Sequence, residues 1–263
     1  MSKNPIDKLS GLCVVTGASS GIGLELAKLA AKDGCDLLIA ADRDLAPAEA
    51  ELRQCGAASV ERIEVDLASR KGIEDLMNKI GPREVDVLIA NAGQGQGGAF
   101  LAERWEDIKA TIDTNVTGTV SLVHKIGGRM VMRDKGRILV TGSIAGKMPG
   151  AFNLIYNSSK AFIDDFCVGL ANELKHTPVV VTCLLPGGTD TQFFERADME
   201  NTKLGQADKA DPAKVAQDGY QALLKGETQE VSGLMNKVQA VFADILPAET
   251  VAQMHRRMAK PRG

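Results

Sequence analysis

The feature that most restricts the fold is a regular alternation of short apolar runs with longer segments of helical period. The runs Leu12–Thr16, Asp36–Ala40, Ser59–Val65, Val85–Ala90, Arg137–Thr141 and Val179–Leu185 are predicted strands, with a weaker one near Glu230–Val231. Most are apolar at successive positions rather than at every second one, the pattern of strands covered on both faces. Between them, Leu24–Asp33, Ala46–Gln54, Arg70–Ile80, Trp105–Met132 and Tyr156–Lys175 read as helices. Strand–helix alternation implies a parallel sheet with right-handed crossovers. The expected fold is therefore α/β: a single doubly wound domain over residues 1–263, with helices on both faces of the sheet.

The chain length suits one such domain. With 44% hydrophobic and 25% charged residues, it has the makings of an ordinary globular core. No run reaches the roughly 18–20 apolar residues of a membrane span, and Met1-Ser2-Lys3-Asn4-Pro5 does not read as the start of a secretory signal. A net charge of −3 gives no reason to expect a nucleic-acid partner. Cys13, Cys35, Cys55, Cys167 and Cys183 form no C-x-x-C pair, so neither a metal site nor a disulfide is expected, and a reducing cytoplasm is.

The turn Thr16-Gly17-Ala18-Ser19-Ser20-Gly21-Ile22-Gly23 stands between the first strand and the first helix. Gly17 permits a tight turn. Gly21 and Gly23 let backbone approach a pyrophosphate and let the helix pack close to the strand. The free N–H groups and positive end of that helix would face the phosphates. Asp42 follows the second strand about 20 residues later, where a carboxylate can bond a ribose diol and repel a 2′-phosphate. Arg43, beside it, could attract that phosphate. NAD is favoured over NADP because the acidic position comes first.

Tyr156 and Lys160 share a face at the start of a predicted helix. Free tyrosine has a pKa of about 10. An ammonium within about 4–6 Å lowers such a value by roughly 1–3 units, bringing the phenol nearer the range where general acid–base catalysis works best. Taken alone, Tyr-x-x-x-Lys describes many ordinary helix starts.

Together, Thr16-Gly17-x-x-x-Gly21-x-Gly23 and Tyr156-x-x-x-Lys160 resemble the short-chain dehydrogenase/reductase family, and the resemblance runs from about Leu9 to Val231. On that resemblance, Ser143 in Thr141-Gly142-Ser143 would bond the carbonyl oxygen and Tyr156 would exchange a proton with it. Lys160 would lower the tyrosine pKa and hold the nicotinamide ribose. Asn115 in Asp113-Thr114-Asn115-Val116-Thr117-Gly118 would prop a helix and position a relay water. Asp66-Leu67 would contact adenine and Asn91-Ala92-Gly93 would lie against the cofactor. The turn Pro186-Gly187-Gly188-Thr189-Asp190-Thr191 would meet the nicotinamide. The implied activity is hydride transfer between NAD(P)(H) and a carbonyl or secondary alcohol, by a homodimer or homotetramer built on the two long helices. The substrate stays open among 3-oxoacyl, steroid-like and small-diol compounds. A dinucleotide-binding redox sensor without turnover is the alternative.

Gly93–Gly98 and Gly187-Gly188 follow strands and are unusually lean, which leaves the pocket shape undefined. Residues 190–210 are polar with poor periodicity and read as a mobile lid, ending at the helix start Asp211-Pro212. Met148, Phe152, Phe193 and Phe194 are candidate pocket walls, and Trp105 a candidate packing anchor. His124, His176 and His255 lack ligand spacing and read as structural or exposed. Residues 235–263 form a helical extension with an apolar stripe (Val238, Val241, Phe242, Ile245, Leu246), then basic His255, Arg256, Arg257, Lys260 and Arg262. A second subunit is the expected partner of the stripe, with acidic lipid as the alternative.

Overall fold

The computed structural model describes residues 3–260 apart from 192 and 198. Seven parallel strands form one sheet in the order β3-β2-β1-β4-β5-β6-β7. The strands are β1 (Leu12–Thr16), β2 (Asp36–Ala41), β3 (Ser59–Glu64), β4 (Val87–Ala90), β5 (Arg137–Thr141), β6 (Val180–Leu185) and β7 (Gln229–Val231). Strand order reverses between β1 and β4, and at such a switch point the connecting loops part to leave a crevice at the strands' carboxyl ends.

Because successive side chains of a strand point to opposite faces, each strand feeds two cores. Cys13 and Val15 face one core with Leu26 and Ala30 of α1 (Gly21–Lys32) and Val215 and Leu223 of α9 (Pro212–Lys225). Leu12 and Val14 face the other, with Leu76 of α3 (Arg70–Ile80), Ile126 of α5 (Thr119–Met132) and Ile163 of α6 (Leu154–Glu173). Leu26 is fully buried, so truncation to Ala costs about 2–5 kcal/mol. β3 departs from the expected uniform burial. It pairs only with β2, Val60 alone of its residues is buried while Arg62 and Glu64 are exposed, and its rim carries ion pairs such as Glu61–Arg83 at 2.5 Å. Charge of this kind protects an edge strand from further pairing.

The stretch 105–132 is not one uniform helix. After α4 (Trp105–Ile112) comes a π-helical turn, Asp113–Gly118, before α5. Gly118 packs so close to the Leu67 carbonyl that a Cβ there would stand 2.5 Å from its oxygen. Helix α1 begins inside the glycine turn at Gly21, three residues before the apolar period suggested. Trp105 is not a packing anchor. It opens α4 at 64% exposure, uncovered by the core of the described residues.

The remaining elements lie above the carboxyl ends of the strands or flank them. Residues 190–210 contain two one-turn helices, α7 (Phe193–Arg196) and α8 (Lys203–Gln206). Beyond β7 come α10 (Leu234–Ile245), against residues 144–147, and α11 (Ala248–Ala259), against α8. Helix α2 (Ala46–Gln54) completes the fold beside α1. No helix among the described residues is long and apolar enough to cross a membrane. The Phe194 side chain and Arg262 lie outside the described residues.

Candidate active site

The glycine turn is packed as a phosphate cradle requires. Gly17 and Gly21 have φ of +64° and +59°, in the left-handed region that glycine enters without strain. A Cβ on Gly17 would lie 2.9 Å from the Ala92 Cα, and one on Gly23 would strike the Gly17 carbonyl and the Asn91 amide. The bare turn leaves room for another group's oxygens. At its helix end, the Ser20 side chain makes no capping bond to the first-turn N–H groups of α1. Thr191 reaches the same turn, its Cγ2 2.8 Å from where a Gly21 Cβ would stand. A dinucleotide pyrophosphate fits this bare, N–H-lined concavity.

Asn91 ties three strand ends together. Its side-chain nitrogen donates to the Thr16 and Gly17 carbonyls at 3.4 and 3.3 Å, while its oxygen accepts from the Thr141 hydroxyl at 3.0 Å. The backbone N–H groups of Asn91 and Ala92 both donate to the Thr16 hydroxyl at 3.0 Å. At the end of β2, Arg43 Nε donates to the Asp42 carboxylate at 3.1 Å, so the two candidate cofactor selectors are paired. Past β3, the Asp66 carboxylate accepts from the Ala68 N–H at 2.9 Å and Leu67 is buried.

Asn115, in the π turn, is 1% exposed. Its amide clamps Gln94, accepting from the Gln94 N–H and donating to the Gln94 carbonyl, both at 2.9 Å, and it also donates to the Ser159 hydroxyl at 3.0 Å. Sites of this type often carry π turns; here the turn lets one side chain span the loop after β4 and helix α6. A Cβ on Gly93 would sit 3.3 Å from the Asn115 oxygen and 3.4 Å from Lys160 Nζ. Asn115, Gly93 and Lys160 therefore converge.

Ser143 follows β5. Its hydroxyl accepts from the Ala145 N–H at 3.1 Å and donates to the Pro186 carbonyl at 3.4 Å. The Thr189 hydroxyl closes the next turn on the Gly187 carbonyl at 3.0 Å. Lys160 Nζ lies 5.8 Å from the Tyr156 ring centroid and donates to the Thr141 carbonyl at 2.8 Å. All four candidate catalytic side chains thus meet at one strand end, beside the glycine turn.

Their electrostatics correct one expectation. Burial pushes the Tyr156 phenol up to about 12; the neighbouring Ser143 side chain opposes this and the Asp164 charge adds to it. Lys160 does not offset the burial in this state. Its ammonium is itself desolvated, which lowers its pKa, and it is directed at the Thr141 carbonyl rather than at the phenol. The cover over Tyr156 is partly Phe193, whose ring centroid lies 4.9 Å away. Gly95 underlies the same ring, since a Cβ there would meet it.

Asp164 was not singled out from the sequence. One turn beyond Lys160 and 3% exposed, it accepts from the Ser143 N–H at 3.3 Å and from the Cys183 thiol at 3.7 Å. Its second oxygen has no partner, and Gly142 and Gly146 leave the space it fills. Burial raises its pKa to about 7 against the opposing field of Lys160. The i, i+4 spacing that linked Tyr156 to Lys160 was the available signal.

The comparisons with known proteins agree with this geometry. The family model for short chain dehydrogenase matches residues 12–202. The chain is 33% identical to the 17-beta-hydroxysteroid dehydrogenase type 1 of Mus musculus over 190 residues, 70% of this chain and 55% of that protein. It spans only about half the length of that relative. An uncharacterized oxidoreductase of Myxococcus xanthus is 35% identical over 66% of this chain and 70% of its own. Among solved structures, a short-chain dehydrogenase from Sphingobium yanoikuyae in complex with NADPH superposes with a TM-score of 0.79 at 27% identity, over 90% of this chain and 97% of the other. A Burkholderia phymatum short chain dehydrogenase/reductase in complex with NAD gives 0.82 over 98% and 100%; at 22% identity it supports the fold alone. The chain belongs to the short-chain dehydrogenase/reductase family, with a single Rossmann-type sheet.

Proposed function

We propose that this enzyme moves a hydride between NAD(P)(H) and a carbonyl or secondary alcohol, with Tyr156 as proton donor in reduction and acceptor in oxidation. One observation carries the reading: the Tyr156 ring lies 5.8 Å from the buried amine of Lys160, which is anchored to the Thr141 carbonyl at the end of β5, the strand that Ser143 follows. The bound dinucleotide supplies or accepts the hydride. The turn Gly17–Gly23, with Ser19, Ser20, Gly21 and Ile22, would hold its pyrophosphate. Asp42 and Arg43 would meet one ribose, Asp66 and Leu67 the adenine, and Asn91, Ala92 and Gly93 its underside. Pro186, Gly187, Thr189 and Thr191 would flank the nicotinamide.

Within the chain, Ser143 bonds the substrate oxygen and stabilises charge building there. Tyr156 exchanges the proton with that oxygen. Lys160 holds the nicotinamide ribose. Asn115, clamped to Gln94 and Ser159, props helix α6 and positions a relay water. Met148, Phe152 and Phe193 wall the substrate, and residues 190–210 act as its lid. Asp42 at the mouth of the ribose site favours NAD.

Exposed Ile112, Met132, Leu154 and Phe162 on the helices from α4 to α6 support a homodimer or homotetramer built on that face. Val238, Val241, Phe242 and Ile245 on α10 are each at least 42% exposed, which supports a second subunit against the 235–263 extension. Five free thiols support a cytoplasmic setting.

The test is a panel of 3-oxoacyl, steroid and small-diol carbonyls and alcohols, followed by reduced-nicotinamide absorbance with NADH and with NADPH. Turnover with NADH ahead of NADPH is expected. Tight dinucleotide binding with no turnover across the panel would instead favour a redox sensor.

A further inference from the structure

We propose that His255, on helix α11, is a positioning residue for the catalytic site: it locks residues 148–153 against the start of α6 and thereby holds Tyr156 in place. The inference rests on the reading of Tyr156 given above. His255 is 2% exposed. Its Nδ1 faces the Ala151 carbonyl at 3.0 Å and its Nε2 faces the Asn157 amide nitrogen at 3.4 Å. Asn157 is the residue after Tyr156, and the same nitrogen donates to the Met148 carbonyl at 2.9 Å.

The donor count defines the arrangement. A carbonyl only accepts, so Nδ1 carries the proton; Nε2 is then an acceptor for the second hydrogen of the Asn157 amide. One imidazole tautomer satisfies the loop and the helix together, and burial favours its neutral form by lowering the pKa. Gly150 presses on Asn157 from the other side, where a Cβ would meet the amide.

The loop needs such a lock. Phe152 has φ of +66°, a conformation that strains a residue with a Cβ unless its surroundings hold it. Three contacts do: the Gly98 N–H donates to the Phe152 carbonyl at 2.9 Å, the Arg256 guanidinium sits 5.0 Å from its ring centroid, and His255 fixes the preceding residue. Helix α11 also packs on α8 of the 190–210 segment, so it spans both walls of the candidate substrate cleft.

The test compares wild type with His255→Leu, which keeps bulk but loses both bonds, and His255→Asn, whose amide can still donate to Ala151. Amide hydrogen exchange over 148–158 is measured alongside NADH binding by fluorescence and steady-state kinetics on the best carbonyl of the panel. The expected result is faster exchange confined to 148–158 in His255→Leu, kcat/KM down about tenfold or more, unchanged NADH affinity, and partial recovery in His255→Asn. Unchanged exchange and kinetics would overturn the proposal. So would a general loss in which NADH affinity and sheet protection fall together in both variants. If wild type turns over no compound of the panel, the reductase reading fails by itself, while the exchange comparison still decides whether His255 holds the loop.

Discussion

The Phe193 ring lies over Tyr156, centroids 4.9 Å apart and planes tilted by 54°. An aromatic lid in contact with a phenol excludes water from it, and desolvation disfavours the charged form. The same contact therefore contributes to the burial that raises the Tyr156 pKa. Phe193→Ala should shift the Tyr156 titration to lower pH and raise KM for the carbonyl several-fold. Tyrosinate absorbance is a clean probe, because the only other tyrosine, Tyr220, is pushed far higher by burial and by Asp33. An unchanged titration would mean that Phe193 is not what dries the phenol.

Asp164 makes stability depend on pH in a direction opposite to that of most carboxylates. Its folded pKa of about 7 lies above the unfolded value, so the native state binds more protons between those limits. Stability is therefore lost as pH rises from about 4 to about 7 and stays reduced above that. Asp164→Asn, a permanent mimic of the protonated form, should melt higher than wild type at alkaline pH, with the gap closing at acid pH. Melting scans across that range check the sign.

At the ribose end of the site, Asp42→Ala removes the carboxylate and frees Arg43 from its ion pair. NADH affinity should fall and NADPH affinity rise, moving the ratio by about tenfold, equivalent to 1.4 kcal/mol. Paired titrations with the two reduced cofactors measure it. A ratio that stays put would remove Asp42 from cofactor selection.

Asn91 joins the glycine turn to β4 and β5 by bonds to Thr16, Gly17 and Thr141. Asn91→Ala leaves those partners without their amide and should destabilise the fold by about 1–3 kcal/mol. Chemical denaturation reads the loss, and dinucleotide affinity should weaken with it because the turn loses its brace.

The sheet was readable in the sequence because β1, β2, β4, β5 and β6 are buried on both faces and therefore nearly uniformly apolar. The site was readable where its residues stand at short, fixed offsets, as in Gly17–Gly23 or Tyr156 and Lys160. Long-range contacts left no such trace. The π turn arises from Asn115 reaching Gln94 and from Gly118 against Leu67; the helical period of 105–132 carries no mark of either. His255 contacts Asn157 across 98 positions. Trp105 misled because a large aromatic at a helix start suggests a core contact, yet it stands 64% exposed among the described residues. The expectation that Lys160 lowers the phenol pKa used spacing alone, whereas burial and the direction of the amine decide the sign.

The central claim is that the Tyr156 hydroxyl carries the proton of the reaction. Its most direct test is Tyr156→Phe, with single-turnover hydride transfer measured on the best carbonyl of the panel and NADH binding measured in parallel. The account predicts intact NADH affinity and a rate about 10²–10⁴-fold lower; a variant that transfers hydride at the wild-type rate would contradict it.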